Sequence, residues 1–311
     1  MKESYIKRIN INQDQAETLR MERINTQAKK SRSLTRVISF TSGKGGVGKT
    51  NTVVNVATGL SELGRSVLIL DADLGLANVD VMLGLRSEYT LHDVVEGRRR
   101  MDEIMLSGPS GITVIPAASG VESICNLDHE KRLTLMHAIE EVALNYDYLL
   151  IDTRAGISSD VMHFNSAANE IVCVITSEPT SLTDAYALIK VLAKNYNEKS
   201  ISILANNINS SARPLEQEAL AAFKRLQNSV DKFLSREQVD LKYLGYIPAD
   251  ILVSEAVRSQ KAVSALYPSS SVGMAFRRLS EKIDFDFTQY RMKGGMQFFF
   301  KQLMEMEAYG G

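Results

Sequence analysis

Tryptophan is absent from this 311-residue chain, prolines number only six and cysteines two. Two cysteines, Cys125 and Cys173, exclude a disulfide scaffold and any four-cysteine metal site within one chain. No apolar run approaches the roughly 18 residues of a membrane span, and Met1–Asn10 does not read as a signal peptide. The expectation is a cytoplasmic protein. An excess of either charge is also missing, with 36 basic residues against 37 acidic and a net charge of −1. That balance excludes a globally basic nucleic-acid binder and an acidic solvating chain.

The balance hides an uneven distribution. Residues 1–36 carry nine Lys/Arg and four Asp/Glu, a net of +5, so the other 275 residues total −6. This stretch is rich in Asn, Gln, Lys and Arg, and the first regular apolar run begins at Val37. It reads as a flexible extension, with a short helix around Gln13–Gln27. Strand-length apolar runs then recur at Val37–Thr41, Ser66–Asp71, Ile112–Pro116, Tyr148–Asp152, Ile171–Thr176, Ile201–Asn206 and Leu241–Ile247. They are rich in Val and Ile and barely alternate, as strands buried on both faces do. Between them Lys49–Leu63, Glu130–Leu144, Leu182–Tyr196, Leu215–Leu234 and Ile251–Ala262 space apolar residues at i, i+3/i+4. This alternation predicts an α/β fold, a mostly parallel twisted sheet with helices on both faces. The expected organisation is an extension over 1–36, one domain over 37–287, and a last segment, 288–311.

The chemistry is concentrated after the first run. Gly43, Lys44, Gly45, Gly46, Val47, Gly48, Lys49 and Thr50 satisfy G-x-x-x-x-G-K-[ST] between a predicted strand and a predicted helix. Glycines let backbone N–H groups close on phosphate oxygens, and the helix N-terminus, with Asn51 next along it, adds positive potential. Lys49 should reach the β/γ-phosphates and the Thr50 hydroxyl should bind Mg²⁺. Tyr148–Asp152 is a buried strand ending in an acid, the Walker B pattern that places Asp152 near Mg²⁺, usually through water.

Lys44 makes the loop distinctive. K-G-G-x-G-K-[ST] resembles the deviant Walker A loop of the MinD/ParA ATPases. That resemblance implies ATP/ADP and Mg²⁺ as ligands, and an ATP-sandwiched homodimer in which Lys44 reaches the partner's phosphates. Asp71–Asp80 is similar to the family's first switch, which would make Asp73 the water-orienting acid and Asp71 a support of the magnesium shell. Ile151–Ile157 is similar to the second switch and would bring the Gly156 backbone close to the γ-phosphate. Arg154 departs from that pattern, where a small residue or proline is usual. A cation there can pair with phosphate, alter the dimer or point outward. No N-K-x-D motif of a GTPase is present. Asn206 instead fits the family's adenine-contacting asparagine, its amide serving as donor and acceptor, and the loop through Pro248 and Asp250 fits the base-side loop.

Two segments narrow the resemblance to the FlhG (FleN) branch. Asp14, Gln15, Ala16, Leu19 and Arg20 lie in D-Q-A-x-x-L-R, similar to the segment with which that branch stimulates the flagellar GTPase FlhF. Thr176–Lys190 resembles the same branch, and Thr180 and Thr183 in it read as helix-cap residues. The implied role is control of flagellar number or placement, with flagellar switch proteins or a transcriptional activator as further partners. The alternatives are a MinD-like cell-division ATPase and a ParA-like DNA-segregation ATPase; the −6 core argues against DNA binding. At the other end Phe298, Phe299, Phe300 and Leu303 form an apolar stripe; the resemblance implies an amphipathic helix that binds the inner membrane surface in an ATP-dependent way, the alternative is a helix docked on the protein, and Glu305 and Glu307 weaken the basic face that lipid binding needs. His92, His129, His137 and His163 have no ligand spacing. Cys173 in a predicted core strand and Cys125 without a glycine context argue against a shared iron-sulfur cluster.

Overall fold

The computed structural model describes residues 35–73, 78–117, 127 and 129–287. The tail motif Asp14–Arg20, residues 74–77 of the first switch, Cys125 and the stripe Phe298–Leu303 lie outside them.

Eight strands form one sheet: β1 Arg36–Thr41, β2 Val67–Ala72, β3 Leu106–Ser107, β4 Thr113–Ile115, β5 Tyr148–Thr153, β6 Glu170–Ile175, β7 Ser200–Ile208 and β8 Asp240–Pro248. Their order is β3-β4-β2-β5-β1-β6-β7-β8. Every neighbouring pair is parallel except β3 with β4. The helices are α1 Lys49–Glu62, α2 Val79–Met82, α3 Leu91–Val95, α4 Met101–Ile104, α5 His129–Ala143, α6 Ser159–Ala167, α7 Pro179–Asn195, α8 Leu215–Phe233, α9 Ile251–Arg258, α10 Val263–Leu266 and α11 Ser271–Phe287.

The lack of alternation in the strands has a simple cause. β1, β2 and β5 are buried at every position, so successive side chains enter two different cores. Ile38, Phe40, Ile69 and Leu150 pack with Val53, Ala57 and Leu60 of α1 and with Phe276 and Leu279 of α11. Val37, Leu68, Leu70 and Ile151 face the other way, against Leu91 and Val94 of α3 and Leu135 and Ile139 of α5. A third cluster joins Ile171, Cys173 and Ile203 to Leu188 and Leu192 of α7 and Leu226 of α8. Each such side chain contributes about 1.5–3 kcal/mol on burial, so the double-sided sheet carries most of the stability.

Several local expectations need correction. Arg36, assigned above to the extension, opens β1 and is 2% exposed. Its guanidinium holds Glu170 at 2.5 and 2.6 Å and donates to the Ile283 carbonyl. α7 begins three residues before Leu182, because Pro179 occupies its first position behind Glu178. Thr180 and Thr183 therefore lie inside the helix and do not cap it; Thr183 Oγ1 donates back to the Pro179 carbonyl at 3.0 Å. The helix expected over Ile251–Ala262 stops at Arg258, where the chain turns through Gln260 at φ 54° into α10. α6 and α11 went unanticipated, although Val272, Phe276, Leu279 and Ile283 repeat with helical period.

α11 and α1 touch at Gly59. A Cβ built there would lie 2.7 Å from Ser280 Cβ and 2.3 Å from its Oγ. Gly59→Ala should therefore cost about 2 kcal/mol in urea unfolding, an overpacking penalty. Adding Ser280→Gly to that variant should restore most of the loss.

Candidate nucleotide site

The phosphate loop runs from the end of β1 to the start of α1, at the centre of the sheet's carboxyl edge. Its glycines answer two different constraints. A Cβ on Gly43 would sit 2.2 Å from the Asp184 backbone of α7, and one on Gly48 would meet Asn206 Nδ2 at 2.3 Å. Gly48 also holds φ 84° at the helix entrance. Gly45 and Gly46, by contrast, face open space, on a 660 Å³ cavity of ligand-binding size. Ser42, Lys49, Thr50, Asn51, Asp73 and Ala155 share its lining.

Charge behind the loop is buried and paired. Lys49 is 8% exposed and its Nζ lies 2.5 Å from Asp152 Oδ1. Asp152 is fully buried, and its other oxygen, Oδ2, has no hydrogen-bond partner. Asp71 sits beside Asp152 in the β2–β5 register. Its carboxylate accepts N–H bonds from Asp73, Asn78 and Val79 at 3.0–3.1 Å, tying the end of β2 to the start of α2. Burial, with the charge of Asp152 second, outweighs these bonds and pushes the Asp71 carboxyl up to about 7.

Other expected residues are placed differently. Lys44 does not line the cavity; its Nζ is held by Glu178 Oε2 at 2.8 Å and Thr180 Oγ1 at 3.1 Å. The bond to Lys44 holds the Glu178 carboxyl below its ordinary range. The Gly156 N–H is engaged by the Ser42 carbonyl at 2.9 Å. Asn206, 8% exposed, donates to the Val47 carbonyl at 2.7 Å and so braces the phosphate loop. Asp250 caps α9 by accepting from Leu252 N at 3.0 Å. Asn206, Pro248 and Asp250 are absent from the cavity lining, where Val81, Met82, Val257, Arg258 and Gln260 stand instead. Arg154 Nε lies 3.8 Å from Asp73 Oδ1. Sequence reasoning missed Glu178 and Thr180 as partners of Lys44; the Glu-Pro pair signals only the start of α7, and nothing local points from it to Lys44. Among the described residues, no group of three His, Cys, Asp or Glu could hold a metal, and no helix is long and apolar enough to cross a membrane.

Residues 35–205 match the family described as AAA domain. Antiactivator FleN of Pseudomonas aeruginosa is 43% identical, over 88% of this chain and 95% of its own. The chain belongs to the FleN branch of the MinD/ParA ATPases. Flagellum site-determining protein YlxH of Helicobacter pylori is 33% identical over 87% of this chain and 90% of its own. Among solved structures, the cell division ATPase MinD of Pyrococcus furiosus superposes with TM-score 0.63 at 29% identity, over 81% of this chain and 99% of that one. MinD of Pyrococcus horikoshii, complexed with Mg-ADP, gives 0.63 at 27%, over 83% and 100%. Like its family, the chain is a Mg²⁺-dependent ATPase. The residues present fit the metal: Asp152 Oδ2 is a buried carboxylate oxygen in want of a partner, and Thr50, with its hydroxyl, is in the cavity lining.

The raised Asp71 carboxyl has a pH signature. Unfolded, an aspartate loses its proton near pH ~3.9; folded, Asp71 keeps it to about 7. Its contribution to the stability of the nucleotide-free protein should therefore be full below pH ~4 and fall as pH rises toward about 7. Urea unfolding of Asp71→Asn across that window should lack this downward slope.

Proposed function

We propose that this chain is an ATP-dependent dimerising switch that regulates flagellar number and placement and stimulates the FlhF GTPase through Asp14–Arg20. The observation that carries the reading is the 43% identity to FleN along nearly the whole of both chains. The flagellum site-determining relative supports it. MinD of Bacillus subtilis, a septum site-determining protein, is 30% identical over 79% of this chain, a lower and shorter likeness.

In this reading the loop N–H groups and Lys49 would hold the phosphates, and the Thr50 hydroxyl and Asp152 would hold Mg²⁺, with Asp71 supporting its shell. A bound Mg²⁺ supplies neutralisation of the β- and γ-phosphate charge. Asp73, on the cavity wall, orients the attacking water. Lys44 leaves Glu178 and Thr180 when two chains meet face to face and reaches the partner's phosphates. Gly156 exchanges the Ser42 carbonyl for the γ-phosphate, so its N–H reports whether that phosphate is there. Asn206 turns part of its amide to adenine, with Pro248 and Asp250 forming the base-side loop. Differential contact of the γ-phosphate with the two states drives dimerisation, and hydrolysis, slow in this mechanism, reverses it. Residues 1–36 engage the GTPase, with Gln15 supporting its hydrolysis and Arg20 anchoring the helix. Phe298, Phe299, Phe300 and Leu303 bring the cytoplasmic protein to the inner membrane surface in the ATP state.

Lys49→Ala should abolish ATP hydrolysis, and Asp73→Ala should slow it by about 100-fold while nucleotide binding persists. The subfamily role is tested separately. FlhF GTP hydrolysis should accelerate on adding the peptide Met1–Arg36 and should not respond to the same peptide carrying Gln15→Ala. Equal rates with and without the peptide would remove the FlhF assignment and leave the ATPase standing.

A further inference from the structure

Asp73 lines the phosphate cavity and presents a carboxylate oxygen, Oδ1, that is buried and has no hydrogen-bond partner. The Arg154 guanidinium faces this oxygen at 3.8 Å, close enough for an ion pair and too far for a hydrogen bond. The Arg154 side chain is 58% exposed, and its N–H groups make no hydrogen bond with the described residues.

The backbone beneath it is fixed. The Thr153 hydroxyl, fully buried, donates to the carbonyls of Phe40 at 2.9 Å and Arg154 at 3.1 Å. Two residues on, Gly156 N–H is fastened to Ser42 at 2.9 Å. The Arg154 Cα is thus held between β1 and the phosphate loop, and the freedom of the residue lies in its side chain. Both lysines of the phosphate loop are committed, Lys49 to Asp152 and Lys44 to Glu178 and Thr180; Arg154 adjoins the cavity through its lining residues Asp73 and Ala155, and Arg258 of α9 is the guanidinium in the lining itself. Asp71, Asp73 and Asp152 crowd negative charge at the ends of β2 and β5, and a terminal phosphate would add more. A planar guanidinium with uncommitted donors is suited to that anion, since it can bind two phosphate oxygens at once.

We propose that Arg154 senses the terminal phosphate of ATP, pairing with Asp73 where no terminal phosphate competes for it and turning to the γ-phosphate when a triphosphate is bound. The exchange makes the site discriminate ATP from ADP, and it frees the Asp73 carboxylate for water only when there is a phosphate to attack. The second half of this statement rests on the reading of Asp73 given above; the first does not.

Calorimetric titration of the full chain with Mg-ADP and with a non-hydrolysable Mg-ATP analogue tests it. Arg154→Ala should weaken the analogue by about tenfold, the scale of one charge-assisted contact, and leave ADP within about twofold. Unchanged ADP affinity also reports an intact fold. Arg154→Lys should fall between, because an ammonium replaces the charge without the fork. Asp73→Asn, which releases the guanidinium, should tighten the analogue relative to ADP. Equal weakening of both nucleotides by Arg154→Ala, or no effect on either, overturns the proposal. Asp73→Ala hydrolysing ATP at the parent rate would instead overturn the water-orienting role of Asp73 and leave the discrimination by Arg154 intact.

Discussion

The buried pair of Lys49 and Asp152 is the interaction around which the rest of the site is arranged. A parallel sheet aligns the carboxyl ends of its strands, and here it sets Asp71 and Asp152 side by side in the dry centre of the molecule. Such charges are costly unless compensated. Lys49 compensates one oxygen of Asp152, three N–H groups offset only part of the burial of Asp71, and Asp152 Oδ2 is left over. Buried ion pairs add little net stability as a rule. This one keeps a cation and an acid preorganised where phosphate and Mg²⁺ need them, so binding does not have to assemble them.

Holding Lys49 there requires the loop in front of it to be rigid, and three elements clamp it. α7 presses its Asp184 backbone against Gly43, β7 reaches the Val47 carbonyl through Asn206, and the second switch ties Gly156 to Ser42. The first switch is handled differently. Asp71 bridges to the start of α2, and the Val81 carbonyl on α2 accepts from Gln260 Nε2 at 3.2 Å. A strand end, a short helix and the turn after α9 are therefore joined in one hydrogen-bonded series.

What was legible in the sequence and what was not divide along physical lines. Signals that act locally read well: the Val/Ile runs gave seven of the strands to within a residue or two, and the phosphate loop announced itself by spacing alone. Signals that depend on distant partners did not. Lys44 was recognisable as unusual, but its bonds cross 134 and 136 positions to Glu178 and Thr180. Arg36 looks like one more basic residue of a polar stretch, and only the folded chain shows Glu170 and Ile283 meeting it. Asn206 was readable as a polar strand end, yet its hold on Val47 follows from the crossover that brings β7 beside the loop. α11 is a different failure, since its period was visible and Pro268, followed by three serines, marks it off from the turn before it.

The contact between Arg36 and the Ile283 carbonyl has a practical consequence. It joins the beginning of β1 to the far part of α11, so both ends of the described domain leave it at the amino edge of the sheet. Arg65 and Tyr148 reinforce that edge through Asp284, at 2.8–3.0 Å. The phosphate loop sits at the opposite edge, a strand length of about 20 Å away. A dye or fusion partner attached at either exit point would thus stand clear of the nucleotide cavity while sharing one anchoring network, which makes that edge the natural place to tether the protein for measurement.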